Sequence, residues 1–446
     1  MSLRAKVHIT VHLLTGWALV LAGWALGTRP EWVVYFEGAS GPIIKSGLSV
    51  ALLAVFYRWG KFSRYSIRGC AAVLATLAFL FTVEIACRLA GVDFSRQDAI
   101  LRRIPPYFRK PMTPTGEAYL RRSGPAEWTG RVIRTYVEQL DMDTTPYLNE
   151  AAITVRYDEH GFRNEEGLHD WDVAVAGDSF TELGHLAFTN LFTTLVEREC
   201  HLRVLNLGVS FTGPLSQLSY LEDFGVAAST KDVMIVFFEG NDLEDIIREY
   251  AGLLRTRTTG QRPRLLKQTS FLSAVGDGIR VPKRRSVPVD RWIHAWFRSE
   301  QGELPVTLVA GPPNTEKVSP ETARALAFFF QSYQEFAAHR HLRAWLAYMP
   351  CKERACYRRL RIAETASAQI KAWVPSDLPG MIGSQCASHG VRFIDLTGAL
   401  AEETDRSGEL LYNGLYDPHL NAKGAACVAR ELARNFRQVI GTPPTP

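Results

Sequence analysis

A chain of 446 residues is long enough for more than one domain, and its composition, 46% hydrophobic and 22% charged, excludes a wholly disordered protein. The formal net charge of +5 is spread thinly along the chain, whereas a nucleic-acid-binding protein concentrates its basic residues on one face. We therefore expect a folded protein with no nucleic-acid partner.

Three long apolar stretches lie near the N-terminus, at about residues 7–26, 43–57 and 70–92. A membrane-spanning helix needs about 20 mostly apolar residues, which the first and third stretches supply and the second supplies only if it begins near Gly41. A signal peptide would account for one stretch, and buried core helices for the others. Three stretches in succession favour a membrane anchor of about three transmembrane helices over residues 1–92.

The loop cations predict the orientation of this anchor. Arg4 and Lys6 precede the first stretch, and Arg58, Lys61 and further cations lie between the second and the third. The positive-inside rule places these segments in the cytoplasm, so three spans leave the rest of the chain on the opposite side. The predicted location is the bacterial inner membrane, with the larger part of the chain in the periplasm.

Five of the seven cysteines follow the apolar stretches, an odd number that leaves at least one thiol unpaired. Cys351 and Cys356 could close a small disulfide loop in an oxidising compartment. They lack the second Cys/His pair of a zinc site, so we expect no metal there.

Residues 93–150, rich in Arg, Pro and aromatic residues, are predicted to form a connector with short strands. Beyond it, short apolar runs alternate with helical patterns. The predicted strands are 171–177, 203–208, 232–240, 342–350 and 391–396. The predicted helices are the roughly 20 residues up to Cys200, then 214–225, 319–338, 360–375, 381–389 and 422–437. Strands that alternate with helices and lack period-two polarity indicate a parallel sheet covered on both faces.

Residues 243–318 interrupt this alternation with a basic segment in which no strand is predicted. We expect an insertion over the carboxyl ends of the strands, where open α/β sheets bind ligands. It is either a lid or a surface for anionic lipid head groups or acidic glycans, or else a solvated basic loop.

Residues that could take part in catalysis follow three of these strands and precede the last helix. A serine hydroxyl is a weak nucleophile that needs a base, and His419 could be the base of Ser179, with Asp417 orienting its ring. The oxyanion of an acyl-transfer intermediate needs preorganised donors. The backbone N–H groups of Ser179 and Gly208 and the side-chain amide of Asn241 are the candidate donors.

Each of these residues also has an ordinary structural explanation. Ser179 could be only the N-cap of a helix, in a capping box completed by Glu182. Gly208 could be a turn glycine, Asn241 an Asx turn, and His419 a loop histidine. What favours catalysis is their conjunction, because the carboxyl ends of parallel strands meet at one edge of the sheet.

At these positions the chain resembles the SGNH, or GDSL-like, hydrolase superfamily over roughly residues 150–440. The resemblance lies in GDSF (177–180), NLGVS (206–210), EGND (239–242) and DPHLNAKG (417–424), preceded by YDEHGFRNEEG (157–167). It implies a flavodoxin-like three-layer α/β/α sandwich that acts without a metal or other cofactor. It also implies Ser179 as nucleophile and first oxyanion donor, Gly208 and Asn241 as further donors, and His419 as base.

Two positions depart from known patterns. The acid of this superfamily usually lies three residues before the histidine, where this chain has Tyr416, so Asp417 is the nearest carboxylate and a backbone carbonyl could orient the ring instead. The G-x-S-x-G elbow of α/β-hydrolases is also absent, because Thr181 occupies its second glycine position.

The predicted protein thus has an anchor (1–92), a connector (93–150) and an SGNH hydrolase-like domain (151–440) with its insertion. The resemblance implies an esterase or acyl hydrolase acting on O-acyl groups, above all O-acetyl, of a cell-envelope glycan or lipid. Two alternatives stay open. One is an O-acyltransferase supplied by a membrane acyl-donor partner, and the other is a non-catalytic glycan-binding or assembly protein.

Overall fold

The computed structural model describes residues 153–259, 292–309, 319–415 and 417–440, together with 125–130 and scattered positions in 10–20 and 75–86. The chain divides into two compact units, Met1–Ile100 with Arg264–Lys283 and Leu101–Pro263 with Arg284–Pro446. The described residues of the first unit are all helical. The sheets and the candidate site belong to the second unit.

No helix within the described ranges is long and apolar enough to cross a membrane. The predicted spans at 7–26, 43–57 and 70–92 lie largely outside these ranges, as does most of the connector at 93–150. The three-helix anchor and its orientation therefore stay predictions.

The described part of the chain contains ten strands. They are β1 (Ala126–Gly130), β2 (Ile153–Tyr157), β3 (Val173–Gly177), β4 (Val204–Gly208), β5 (Asp232–Phe238), β6 (Ala295–Ser299), β7 (Gly302–Val306), β8 (Arg343–Met349), β9 (Leu360–Ile362) and β10 (Arg392–Asp395). The pair β1–β2 is antiparallel and places one of the expected short strands in the connector.

Five strands form a parallel sheet in the order β10–β8–β5–β3–β4. Counted along the chain this is the order 2-1-3-4-5, the flavodoxin-like arrangement. Every residue of β3, β4 and β5 is buried, because helices cover both faces and leave no polar side to alternate with an apolar one. The five predicted strands and the parallel sheet are confirmed.

The described helices are α1 (Ser179–Glu182), α2 (Phe192–Cys200), α3 (Pro214–Phe224), α4 (Asp242–Thr259), α5 (Pro320–His339), α6 (Lys352–Ala355), α7 (Ala368–Ala372), α8 (Leu378–Ser388), α9 (Thr397–Ser407) and α10 (Ala422–Ile440). Successive residues of β3 point to opposite faces of the sheet. Val173 and Val175 join a core with α2, α9 and α10, whereas Ala174 and Ala176 join one with α3, α5 and α8. The result is the predicted α/β/α sandwich.

Several predicted elements differ from the observed ones. The single helix expected before Cys200 is two helices, because Leu183 takes a left-handed conformation (φ 42°) that ends α1. The helix predicted at 360–375 is wrong, since this segment contains β9 and the short α7. Helices α4 and α9 were not predicted.

The insertion also has more structure than its sequence indicates. The hairpin β6–β7 lies within 243–318, and β6 pairs antiparallel with β9, so a second, three-stranded sheet joins the insertion to a distant segment. The prediction of no strand there is wrong. Most of the basic part, 260–291, lies outside the described residues, and its role as a lid or binding surface stays a prediction.

The disulfide that Cys351 and Cys356 could close is not formed. Both thiols are buried and free of disulfides, as are those of Cys200, Cys386 and Cys427. Cys351 and Cys356 cap the two ends of the single-turn helix α6 and pack into the same core. They serve there as small apolar side chains.

Candidate active site

Ser179 is the first residue of α1, two positions beyond the end of β3. The N-cap of α1 is Asp178, whose carboxylate accepts a hydrogen bond from the Phe180 N–H at 2.8 Å. The predicted capping box with Ser179 as the cap is therefore wrong. Because Asp178 supplies the cap, the Ser179 hydroxyl is left to pair with another side chain.

The other half of the predicted capping box, Glu182, points elsewhere. Its buried carboxylate accepts hydrogen bonds from the Ser210 N–H at 2.8 Å, the Ser210 hydroxyl at 2.6 Å and the Tyr157 hydroxyl at 2.7 Å. These bonds connect α1 to the loop after β4 and to β2. Glu182 thus holds the helix that carries Ser179 in place.

Three side chains form a hydrogen-bonded chain at the carboxyl edge of the sheet. The Ser179 Oγ lies 2.7 Å from His419 Nε2, and His419 Nδ1 lies 2.6 Å from Asp417 Oδ1. With the proton on Nδ1 donated to the carboxylate, Nε2 can accept the serine proton. The geometry is that of a nucleophile, a base and an orienting acid.

The two-residue spacing between Asp417 and His419 is compatible with this geometry. Asp417 Oδ1 accepts both the ring Nδ1–H and, at 2.9 Å, the backbone N–H of His419, which closes a local turn. Asn413 Nδ2 donates to Oδ2 at 3.1 Å, so both carboxylate oxygens are paired. Asp417 therefore takes the position predicted for the acid, and Tyr416 lies outside the described residues.

The electrostatics of the pair favour its charged form. Burial alone would raise the pKa of Asp417, but the charge and hydrogen bonds of His419 outweigh burial and hold the pKa well below its ordinary value. Burial lowers the pKa of His419, yet the Asp417 carboxylate outweighs this and leaves the pKa above its ordinary value of 6.5. An adjacent carboxylate thus makes His419 a stronger base.

This balance predicts the pH dependence of activity. Protonated His419 cannot accept the proton of Ser179, so kcat/KM for an ester should rise with pH through an apparent pKa above 6.5. The measurement is the hydrolysis rate of a soluble acetate ester from about pH 5 to pH 9, with circular dichroism at each pH as the control for folding. A rate that stays flat across this range in the folded protein would exclude His419 as the base.

The N–H of Gly208, predicted to be an oxyanion donor, has a partner within the chain, and its role as a donor stays a prediction. Its N–H donates to the Asn206 side-chain oxygen at 2.8 Å. A Cβ atom at Gly208 would overlap the backbone of Thr181 and Glu182. The glycine is needed because β4 packs directly against α1, and its N–H is already used.

Asn241 follows β5, and its side chain lies beside Asp178, the residue before Ser179. Its Nδ2 donates to Asp245 Oδ2 at 3.1 Å. Burial raises the pKa of Asp178 to about 6, and hydrogen bonding to Phe180 and Asn241 works against this rise. The structure thus brings the Asn241 side chain to the end of the sheet that carries Ser179, and its role as an oxyanion donor stays a prediction.

His185 is a site residue that the sequence motifs did not reveal. It is half-buried, its Nε2 lies 2.8 Å from the Leu420 carbonyl oxygen, and its ring centroid lies 5.6 Å from that of His419. Burial lowers the pKa of His185 to about 4, so the ring is neutral at pH 7. The neutral His185 ring packs beside His419, and His419 is the ring that pairs with the Asp417 carboxylate.

His185, Asp417 and His419 place one potential metal-ligand atom each within 4.8 Å of the others. However, Asp417 Oδ1 and His419 Nδ1 are 2.6 Å apart, whereas two ligands of a tetrahedral zinc ion with bonds of about 2.1 Å are separated by about 3.4 Å. The 2.6 Å separation is that of a hydrogen bond. The arrangement therefore fits a catalytic triad better than a metal centre.

Aromatic packing holds the ring of the base in place. The Phe180 ring stacks on Phe238 at 3.7 Å between centroids and lies 4.8 Å from the His419 ring. Phe211, after β4, is 53% exposed and has a positive φ of 67°. That conformation is uncommon for a bulky residue. Sequence patterns gave no signal for it.

Residues 157–167, which precede the parallel sheet, form hydrogen bonds with the end of α1 and with β4. The buried Arg163 guanidinium donates to the carbonyl oxygens of Leu183 at 2.7 Å and Leu186 at 2.9 Å, just beyond the end of α1. Asn164 exchanges hydrogen bonds with the backbone of Asn206 in β4. These contacts explain why YDEHGFRNEEG accompanies the site.

No known family model and no curated protein sequence matches the chain. Among solved structures it is similar to a lipolytic protein of the G-D-S-L family from Veillonella parvula DSM 2008, at 11% identity over 60% of this chain and 99% of the other, with a TM-score of 0.32. It is also similar to a lipase/acylhydrolase from Enterococcus faecalis, at 13% identity over 61% and 99%, with a TM-score of 0.30. A third is an acetylxylan esterase from Geobacillus stearothermophilus, at 13% identity over 60% and 94%, with a TM-score of 0.30. At such low identity and TM-score, these likenesses assign neither an activity nor a substrate to this chain.

Proposed function

We propose that this protein is a serine esterase of the SGNH type that cleaves O-acyl esters. The observation that carries the proposal is the hydrogen-bonded chain from Ser179 through His419 to the buried Asp417. In such a chain the base activates the serine hydroxyl for attack on a carbonyl, and the acid orients the base.

In the proposed reaction, His419 Nε2 removes the proton of the Ser179 hydroxyl as the oxygen attacks the ester carbonyl. Asp417 stabilises the imidazolium that forms, and the proposed donors to the developing oxyanion are the backbone N–H of Ser179 and the side-chain amide of Asn241. His419 then gives its proton to the leaving alcohol. Water, activated by the same histidine, releases the acid and restores Ser179.

The proposed substrate is an O-acyl, above all O-acetyl, group on a cell-envelope glycan or lipid. The support for this location is the succession of apolar stretches within residues 1–92, which favours a membrane anchor with the esterase domain in the periplasm.

The test is acetate release from acetylated glycans by the purified full-length chain, with a soluble aryl acetate as a general substrate. We expect turnover of the aryl acetate and of at least one acetylated glycan. Consumption of the acyl donor only when a glycan acceptor is added would identify a transferase instead. No turnover of any ester by the folded protein would overturn the proposal in favour of a binding protein.

A further inference from the structure

A buried lysine binds the loop that carries the acid and the base of the triad, residues 413–419, called here the catalytic loop. Lys352 is the first residue of α6 and is 1% exposed. Its Nζ donates to the carbonyl oxygens of Asp417 at 2.9 Å and Gly414 at 3.0 Å, and to that of Thr307, just after β7, at 2.9 Å. The Thr307 N–H donates to the Gly414 carbonyl oxygen at 3.2 Å. Lys352 thus joins the catalytic loop to the hairpin β6–β7.

The stability of the fold alone does not explain a lysine at this position. An ammonium group has three N–H donors, which match the three carbonyl oxygens around Nζ. Moving a charge from water into the protein interior is costly, and hydrogen bonds offset that cost only in part. Buried charges often stabilise a fold no better than apolar side chains of similar volume. We therefore looked for a role of Lys352 in the site.

The charge of Lys352 does not help His419 to accept a proton. Burial lowers the pKa of His419, the carboxylates of Asp417 and Asp178 raise it, and the Lys352 ammonium lowers it again. A positive charge near the ring disfavours the imidazolium that forms when the base takes up the serine proton. The benefit of Lys352 to the site therefore lies in its contacts with the catalytic loop.

Those contacts complete the set of hydrogen bonds that holds Asp417. Its Oδ1 accepts from the ring and the backbone of His419, its Oδ2 accepts from Asn413, and its carbonyl oxygen accepts from Lys352. His419 and Asn413 belong to the catalytic loop itself. Lys352 belongs to α6, which follows strand β8 of the parallel sheet. The lysine thus ties the backbone of the acid to the framework of the domain.

We propose that Lys352 is a positioning residue, whose ammonium group holds the backbone of Asp417 so that the carboxylate meets the His419 ring. The two side chains are 2.6 Å apart, from Oδ1 to Nδ1. A misplacement of about 1 Å at such a contact can lower a rate about a hundredfold. The inference deepens the proposed function and rests on it in taking Asp417 as the acid of the triad.

The first test replaces the ammonium group by an apolar end on a side chain of similar length. Lys352→Met in the full-length chain should lower kcat for an aryl acetate by about tenfold to a hundredfold. The KM should stay within about threefold of the wild type, because the lysine acts on the acid and not on the substrate. Lys371→Met is the matched control. Lys371 is exposed and donates to the Glu364 carbonyl oxygen at 2.5 Å, outside the catalytic loop, so its variant should have wild-type activity.

A double-mutant cycle separates positioning from a general structural role. If Lys352 acts through Asp417, adding Lys352→Met to Asp417→Asn should lower kcat by no more than about a further threefold, since no carboxylate is left to position. If the lysine only stabilises the fold, the two losses multiply, and the inference is overturned. Lys352→Gln keeps two N–H donors. It takes the place of the methionine variant in the same cycle if Lys352→Met does not fold.

Hydrogen exchange tests the inference without reference to activity. In the Lys352 variant, the backbone amides of residues 413–419 should exchange about tenfold faster or more, whereas those of β3 and β4 should exchange as in the wild type. Unchanged exchange in the catalytic loop, or faster exchange throughout the domain, would overturn the inference. Faster exchange confined to the loop in a protein that cleaves no ester refutes only the proposed function. Esterase activity without that local change refutes only the role of Lys352.

Discussion

Replacing Ser179 by alanine should lower kcat for an aryl acetate by a factor of about 10⁴ or more, as removal of a triad nucleophile does in serine hydrolases. The reason is geometric. The Ser179 hydroxyl lies 2.7 Å from the base that removes its proton, and alanine leaves His419 with no oxygen to activate. Labelling of the protein by a fluorophosphonate probe should disappear in the same variant.

The control for this experiment is a serine outside the site. Ser384 lies on α8, is exposed, and donates to the Gly380 carbonyl oxygen at 2.8 Å, with no histidine near it in the hydrogen-bond network. The Ser384→Ala variant should hydrolyse the ester and accept the label like the wild type. Unchanged labelling of Ser179→Ala would show that the nucleophile is another residue.

The central sheet was predictable because its strands are short apolar runs. A parallel strand buried on both faces is a continuous apolar run without alternating polar residues. The strands β3, β4 and β5 can therefore be recognised in the sequence. The helices between them follow from the length of the crossovers that parallel strands require. The positions of Ser179 and His419 follow from the same logic, since Ser179 begins the helix after a strand and His419 lies in the loop before the last helix.

The local details of the site were less predictable. The sequence around Ser179 offers two possible caps, and only tertiary contacts decide between them. Glu182 bonds to Ser210, and Asp178 caps the helix instead. The sequence motif likewise predicts the Gly208 N–H as an oxyanion donor, but in the structure this N–H donates to the side chain of Asn206. The Glu182–Ser210 contact spans 28 residues and has no local sequence signature, whereas the Asn206–Gly208 contact is a local Asx pattern that competes with the donor role.

The second sheet was missed for a different reason. Its strand β9 has three residues and lies far along the chain from β6, so no periodicity links the two. Strand β7 is exposed over three of its five residues and contains Pro305, which depresses its strand signal. Long-range pairing of short edge strands depends on the tertiary fold rather than on local pattern.

Replacing Asp417 by asparagine should lower kcat by about 10⁴, although the side chain keeps its size. The carboxylate accepts two hydrogen bonds from His419, from the ring Nδ1–H and from the backbone N–H. An amide can turn its NH₂ group toward Nδ1, which favours the wrong tautomer and withdraws the charge that stabilises the imidazolium. The measurement is kcat for the aryl acetate beside the circular dichroism spectrum and thermal unfolding curve of the same sample.

A pH profile separates this role from a loss of structure. Because Asp417 raises the pKa of His419 against the opposing effect of burial, the residual activity of Asp417→Asn should rise through a lower apparent pKa than that of the wild type. The double variant with Ser179→Ala should be no less active than Ser179→Ala alone, since residues that act as a unit are not additive. If Asp417→Asn keeps activity within about tenfold of the wild type, a group other than this carboxylate orients His419.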